Sequence, residues 1–386
     1  MTHIPDTFYI EADTGMFLMR RDGGSFGRER FTAYANGFLC TIKVNKRFSY
    51  TVSLKTDRTY WGVCEFAEKG RSLSFDAMRS DIARWIDDNV WELVSDDDDN
   101  DAQPFETSRG TIAYYQYNTH LDGIPIIFLH GGPGDGAGTT RGRKMHLRHP
   151  IYTYDQMGCG RSDRIDDLSE WDQEDYFNEL NEFIEGMGFE KVILIGASWG
   201  AGLAVGYAAR FGCKKIELMI LPSPFISSER WTSDQMKNME RMPEEYRKEM
   251  EAFMRGEGTI ENYQHVMSEY YSRFLFAREI NREIAIAAGQ SVQNDVFLSM
   301  WGPNDLICEG TMKDFDLIPE LEKIDVPVLF MCGDSDEVTI DTINEYVKMV
   351  KGSRLSVIPY AGHVIGKDQP TLYMESMKAY LEENGQ

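Results

Sequence analysis

Positive charge is scarce in this chain. Against 63 Asp and Glu side chains stand only 40 Lys and Arg, which leaves a net charge of −23 over 386 residues. A polyanion would be repelled over most of the surface, so nucleic acid is excluded as the expected partner. Cysteines are few and dispersed. Cys40, Cys64, Cys159, Cys213, Cys308 and Cys332 form no Cys-x-x-Cys pair and have no histidine at a zinc-binding spacing, which argues against a disulfide scaffold and a structural metal. No run of about 18 uncharged apolar residues occurs, and no basic segment leads into an apolar one at the N-terminus. The expectation is a cytoplasmic protein with no membrane contact. No repeat with a period of about 20 to 50 residues is visible, so a solenoid or propeller is not expected.

The acid excess is unevenly placed. Residues 1–95 hold 13 basic and 13 acidic side chains, so the whole net charge falls after them. The boundary is marked by Ser95-Asp96-Asp97-Asp98-Asp99-Asn100-Asp101, a run that repels itself and cannot pack; residues 96–104 read as a linker. Before it, Phe38 to Val44 and Arg47 to Leu54 alternate with a period of two and are rich in Thr, Val, Phe and Tyr, the pattern of strands. Ser74 stands where it would cap a helix over Phe75 to Trp85, with Met78, Ile82 and Trp85 on one face. Residues 1–95 therefore form a β-rich accessory module closed by a helix. They carry no catalytic motif, and packing or assembly, including a homo-oligomer, is the expected role.

Beyond the linker, short apolar runs alternate with helical patterns: Ile124 to His130, Ile151 to Asp155, Lys191 to Gly196, Ile216 to Leu221, Val326 to Gly333 and Arg354 to Pro359. Each has the length of a buried strand, and the alternation predicts a largely parallel sheet wrapped by helices. Residues 226–317 break that rhythm with helical spacing and Met236, Met239 and Met250 among charged residues. They read as a helical insertion that divides the α/β core into 105–225 and 318–386, and its methionines as packing.

The chemistry is written around Gly196-Ala197-Ser198-Trp199-Gly200. A serine at a sharp strand-to-helix turn needs small neighbours, and this string follows an apolar run and opens a helix-like one, the context of a nucleophile elbow. Serine rather than aspartate at 198 excludes an epoxide hydrolase or haloalkane dehalogenase. A serine hydroxyl needs a base oriented by a carboxylate, and in such folds both follow it in the chain. Only His265 and His363 do. His265 falls inside the helical insertion, whereas His363 follows a strand-like run, which makes it the base. The carboxylate lies in Gly333-Asp334-Ser335-Asp336-Glu337-Val338, where Asp334, Asp336 and Glu337 all remain open. Upstream, the backbone N–H groups of His130-Gly131-Gly132-Pro133-Gly134 suit an oxyanion hole, Gly132 acting with Trp199. Cys159 reads as a small buried residue. Nothing in these motifs asks for a metal or a cofactor.

Together the motifs resemble the proline iminopeptidases, or prolyl aminopeptidases, of the α/β-hydrolase superfamily, including the tricorn-associated enzymes. The resemblance covers about residues 105–386. It rests on His130 to Gly134, Asp155-Gln156-Met157-Gly158-Cys159-Gly160-Arg161-Ser162, Gly196 to Gly200, Gly333 to Thr339 and Gly362-His363. It implies an α/β-hydrolase core with 226–317 as a helical cap, and cleavage of one residue, often proline, from a free peptide N-terminus. It assigns the acid to Asp336. It also implies that Glu337 and Asp305 hold the substrate ammonium, Asp305 where the tricorn-associated enzymes have Glu. Phe297 stands in the substrate pocket where they have Tyr, so recognition of the first residue is expected to differ. Residues 226–317 hold 17 acidic and 10 basic side chains, so most carboxylates there are ordinary helix surface. The expected substrate is a peptide or amino-acid amide with a free N-terminal amine. The rivals are an amino-acid amidase or esterase with the same triad, and a non-catalytic binding protein on the same scaffold.

Overall fold

The computed structural model describes residues 4–5, 7–12, 15–25, 28–35, 38–56, 64–90, 102–137, 147–277, 294–303 and 306–386. The chain divides into two compact units, Met1–Asn100 and Asp101–Gln386.

The N-terminal unit is an antiparallel meander, β1 (Thr7–Ala12), β2 (Gly15–Ser25), β3 (Arg28–Ala35), β4 (Phe38–Asn45), β5 (Ser49–Thr56) and β6 (Cys64–Arg71), with strands adjacent in chain order. Period-two alternation sends Ile42, Val44, Tyr50 and Val52 to one face, where they are buried, and leaves Lys43 exposed on the other. Helix α1 (Phe75–Val90) covers the apolar face, its first turn capped by Ser74, whose Oγ accepts from Ala77 N at 3.1 Å. Met78, Ile82 and Ile86 recur every four residues and are fully buried with Phe31, Ile42 and Val52, each such side chain contributing about 1.5–3 kcal/mol. Ile86 takes the inward position expected of Trp85, which is only partly buried. On the open face, Arg30, Lys43, Thr51 and Lys69 lie in register across four strands.

The C-terminal unit is built on eight strands, β7 (Gln103–Thr107), β8 (Gly110–Tyr117), β9 (Ile126–Leu129), β10 (Ile151–Tyr154), β11 (Val192–Gly196), β12 (Ile216–Pro222), β13 (Val328–Gly333) and β14 (Arg354–Ile358). Their order is β14-β13-β12-β11-β9-β10-β8-β7. The six from β9 to β14 are mutually parallel, and β8 and β7 close the edge as an antiparallel hairpin. That hairpin carries no strong apolar signal because β7 is an edge strand with little burial. It also takes up Gln103 and Pro104, the last two residues of the expected linker 96–104.

Central strands are apolar throughout because both faces are covered. Ile127, Leu129 and Leu194 pack with α2 (Gln173–Gly186) and α3 (Trp199–Phe211), while Ile126, Phe128, Ile193 and Ile195 face a second cluster with Tyr373, Met377 and Tyr380. Between β12 and β13 the chain makes its helical excursion, α4 (Ser228–Glu240), α5 (Glu244–Met254), α6 (Ile260–Tyr270) and α7 (Asp295–Met300). The excursion leaves and returns at one point, where Ser227 bridges Asp316 and Leu317 N donates to Ile226 O at 3.0 Å. Of the methionines expected to pack, Met239 and Met250 fill a separate small core there with Met242, Tyr270 and Phe274, whereas Met236, on α4, is exposed. Because β14, β13, β12, β11 and β9 are parallel neighbours, the loops at their C-terminal ends stand side by side, the place where sheets of this kind bind ligands.

Candidate active site

Ser198 sits between the end of β11 and the start of α3 with φ 53° and ψ −119°, a strained geometry for a residue with a side chain. The turn is held on both sides. Ser198 N donates to Pro222 O at 3.1 Å, and Ser198 O accepts from Phe225 N at 3.1 Å. It closes only with glycine at its flanks: a side chain at Gly196 would lie 2.1 Å from Gly200 O, and one at Gly200 would lie 2.2 Å from Leu129 O. The parallel register Gly196↔Leu129 brings the turn after β9 against the elbow. There Gly132 has φ +105°, and a side chain on it would meet Gly134 N at 2.6 Å. The backbone N–H groups of Gly132 and Trp199 donate to no described residue; Trp199 opens α3, where a first-turn N–H has no intrahelical acceptor.

His363 lies after β14 and Asp336 after β13. The imidazole Nδ1 is 2.8 Å from Asp336 Oδ1, and Asp336 is buried, its carboxylate also accepting from Gly333 N, Val338 N and Ser223 Oγ at 3.1, 3.2 and 2.6 Å. Ser223 Oγ lies 2.9 Å from His363 O as well, so one hydroxyl at the end of β12 ties acid to base. Glu337 Oε2 is 3.7 Å from the same Nδ1, and the Trp231 ring meets the imidazole edge to face at 5.4 Å. Burial pulls the imidazole pKa down, but the charge and hydrogen bond of Asp336, with Glu337 and Asp135 behind them, outweigh burial and hold it above its ordinary 6.5. The helical excursion grips both loops. His363 N donates to Phe274 O, and Asn238 Nδ2 on α4 donates to Asp336 O and Glu337 O.

A third loop, after β10, joins the Gly132 turn to the start of α3. Gln156 N donates to His130 Nε2 at 3.0 Å, Gln156 Nε2 donates to His130 O at 3.1 Å, and Gln156 Oε1 accepts from the Trp199 indole at 2.9 Å. His130 is buried, and burial pushes its imidazole pKa down, so the neutral ring accepts at Nε2 while Nδ1 faces Gly131 O at 2.9 Å. One primary amide thus links the Gly132 turn to the residue after Ser198.

The sequence-derived candidates divide accordingly. Ser198, Gly132, Trp199, Asp336, His363 and Glu337 all stand on the loops gathered at one end of the sheet. Of the three acids left open, Asp334 instead accepts from Tyr360 N at 2.9 Å and shapes the turn before His363. Phe297, on α7, is buried and stacks on Trp301 at 6.0 Å, and Trp301 in turn meets Trp231 at 5.6 Å. Asp305 lies outside the described residues. His265, on α6, contacts Glu249 at 3.1 Å. Cys159 is buried, and its thiol pKa is raised well above the usual value by burial. Ser223 and Gln156 make contacts in this loop cluster that the sequence did not assign to them, Ser223 directly after a strand and Gln156 inside the Asp155 to Ser162 motif.

A family profile described as alpha/beta hydrolase fold matches residues 124–370, more than half of the chain. The chain belongs to the α/β-hydrolase family. Curated relatives include a proline iminopeptidase of Heyndrickxia coagulans, 27% identical over 281 residues spanning 72% of this chain and 96% of that protein. One from Saccharolobus solfataricus is 28% identical over 278 residues, 70% of this chain and 89% of that one. Among solved structures, the proline iminopeptidase of Mycobacterium smegmatis superposes with a TM-score of 0.67 at 22% identity, covering 73% of this chain and 98% of that one; this likeness concerns the α/β-hydrolase fold. These relatives are nearly the length of the C-terminal unit alone. No helix among the described residues is long and apolar enough to cross a membrane.

Proposed function

We propose that this α/β-hydrolase is a serine aminopeptidase that releases the N-terminal residue, proline or another small apolar residue, from peptides. Ser198 attacks the first carbonyl carbon, and His363 takes the serine proton and returns it to the leaving amine. Asp336 fixes the imidazole tautomer, and the N–H groups of Gly132 and Trp199 receive the oxyanion. Water then repeats the sequence on the acyl-enzyme. The observation that carries the reading is the 2.8 Å contact of His363 with buried Asp336, after β14 and β13, at the same end of the sheet as the strained Ser198 after β11.

The amino-terminal specificity draws on the relatives' name and on Glu337, a carboxylate beyond the one a triad needs. An ammonium taken out of water requires such a counter-charge. Asp305 is proposed as a second anchor and Phe297 as a wall of the first-residue pocket, under a cap formed by residues 226–317.

The test is a panel of aminoacyl arylamides, amides and dipeptides with Pro, Ala, Leu, Phe or Lys first, each paired with its N-acetylated form. Turnover confined to free amines and extending to dipeptides is expected, with loss of about a millionfold in kcat in Ser198→Ala. Good cleavage of amides with none of dipeptides makes it an amidase instead. Equal cleavage of acetylated forms removes the amine anchor, and an active Ser198→Ala removes the triad.

A further inference from the structure

Asp135 is a carboxylate that the triad does not use. It follows the Gly132 turn directly, and no described residue gives it a hydrogen bond or an ion pair. A methyl group on Gly131 would stand 3.4 Å from Ser198 Cβ and 3.6 Å from Asp135 Oδ2, so the two distances cap the separation of that carboxylate oxygen from the nucleophile's Cβ at about 7 Å. The residue is nonetheless partly open to solvent. Burial pushes its carboxyl pKa up, and His130, Lys367 and His363 are near enough to oppose that shift by charge. With no described residue donating to it, this carboxylate would gain a charge-assisted hydrogen bond from a cation that reaches it.

The substrate's own geometry names the cation. In an N-terminal residue the α-ammonium nitrogen is about 2.5 Å from the carbonyl carbon, and the serine oxygen approaches that carbon to about 3 Å. Within that ceiling, an α-ammonium over Ser198 can reach a carboxylate in Asp135's position. Glu337 is less well placed for this, because its contact is with Nδ1 of His363, the ring nitrogen turned away from the one that serves the serine.

Resting on the aminopeptidase reading, we infer that Asp135 binds the α-ammonium of the substrate alongside Glu337 and adds to the selectivity for a free N-terminus. It acts on the ground state and the transition state through one charge-assisted hydrogen bond, beside the oxyanion donors.

The experiment compares prolyl-4-nitroanilide with cyclopentanecarbonyl-4-nitroanilide, which has the same ring without the amine. Rates are measured per active serine, titrated with a fluorophosphonate, in the full chain, in Asp135→Asn and in Asp135→Glu. The wild type prefers the prolyl substrate, and Asp135→Asn lowers the ratio of the two kcat/KM values about tenfold to a hundredfold. Asp135→Glu keeps the charge and retains more of the preference than Asn does. An unchanged ratio in Asp135→Asn, whether or not both rates fall, overturns the assignment while leaving the aminopeptidase reading intact. A wild type with no preference for the amine fails before any variant is made, and takes the aminopeptidase reading down with it.

Discussion

The two units solve opposite problems with their polar residues. In the N-terminal unit the buried positions are almost wholly apolar, Ser72 being the one buried polar residue among those described, and Arg30, Lys43 and Lys69 are displayed on an open sheet face. In the C-terminal unit His130, Asp155, Gln156, Glu179, Ser223, Asp336 and Glu337 are all buried. Taking polar groups out of water costs stability unless each finds partners. A chain keeps so many only where their arrangement is needed, and most of these lie within the loops at one end of the eight-stranded sheet. The contrast locates function more sharply than charge does. It implies that one buried amide in the second unit matters more to turnover than the whole of the first.

Gln156→Met is the strongest way to press that contrast. Methionine conserves volume and removes both side-chain hydrogen bonds of Gln156, to His130 O and from the Trp199 indole, while its backbone N–H stays on His130 Nε2. The expected result is a fall of about a hundredfold in kcat, the scale of losing an oxyanion donor, with KM nearly unchanged. The reason is that the amide orients the two N–H groups without touching the substrate. A matching fall in affinity for a boronate analogue of the tetrahedral intermediate would support this. A proportional rise in KM, with kcat kept, would place Gln156 in substrate binding instead.

The pH profile probes the acids around His363. As a general base the imidazole must be neutral, and its pKa is held above 6.5 by Asp336, Glu337 and Asp135 against the pull of burial. Activity is therefore low while the ring is protonated and rises with pH through a midpoint above 6.5. Glu337→Gln removes one negative charge 3.7 Å from Nδ1, so the acid limb of kcat/KM moves to lower pH. A limb that stays in place, or moves up, shows that this carboxylate's charge does not reach the ring.

Much of this was legible because the core strands are buried on both faces. Six apolar runs marked β9 to β14 to within two residues at either end, and the flanking glycines and the chain order of Ser198, Asp336 and His363 pointed to one end of the sheet. The limits are equally physical. The β7–β8 hairpin was missed because an edge strand carries a weak apolar pattern. Asp334, Asp336 and Glu337 could not be separated by spacing, since what distinguishes them is which carboxylate meets Nδ1 and which caps the turn at Tyr360. Ser223 and Gln156 owe their contacts to neighbours up to 140 residues away in the chain, and no local pattern reports such a meeting.

The smallest expected effect is the most direct trial of the comparison. A chain lacking residues 1–95 should hydrolyse the best aminoacyl arylamide within about a factor of two of the full protein, because sites rather than added domains carry chemistry. The truncated protein is expected to fold, since a proline iminopeptidase of which 96% aligns with 72% of this chain consists of little else. Light scattering on both proteins reads whether the first unit holds copies together. Unchanged turnover with a smaller mass assigns it to assembly, for which a face bearing Arg30, Lys43 and Lys69 on an otherwise acidic chain is chemically apt. If turnover of a one-residue substrate instead collapses while the triad still reacts with a fluorophosphonate, the first unit contributes to substrate binding, and the division of labour between the units is wrong.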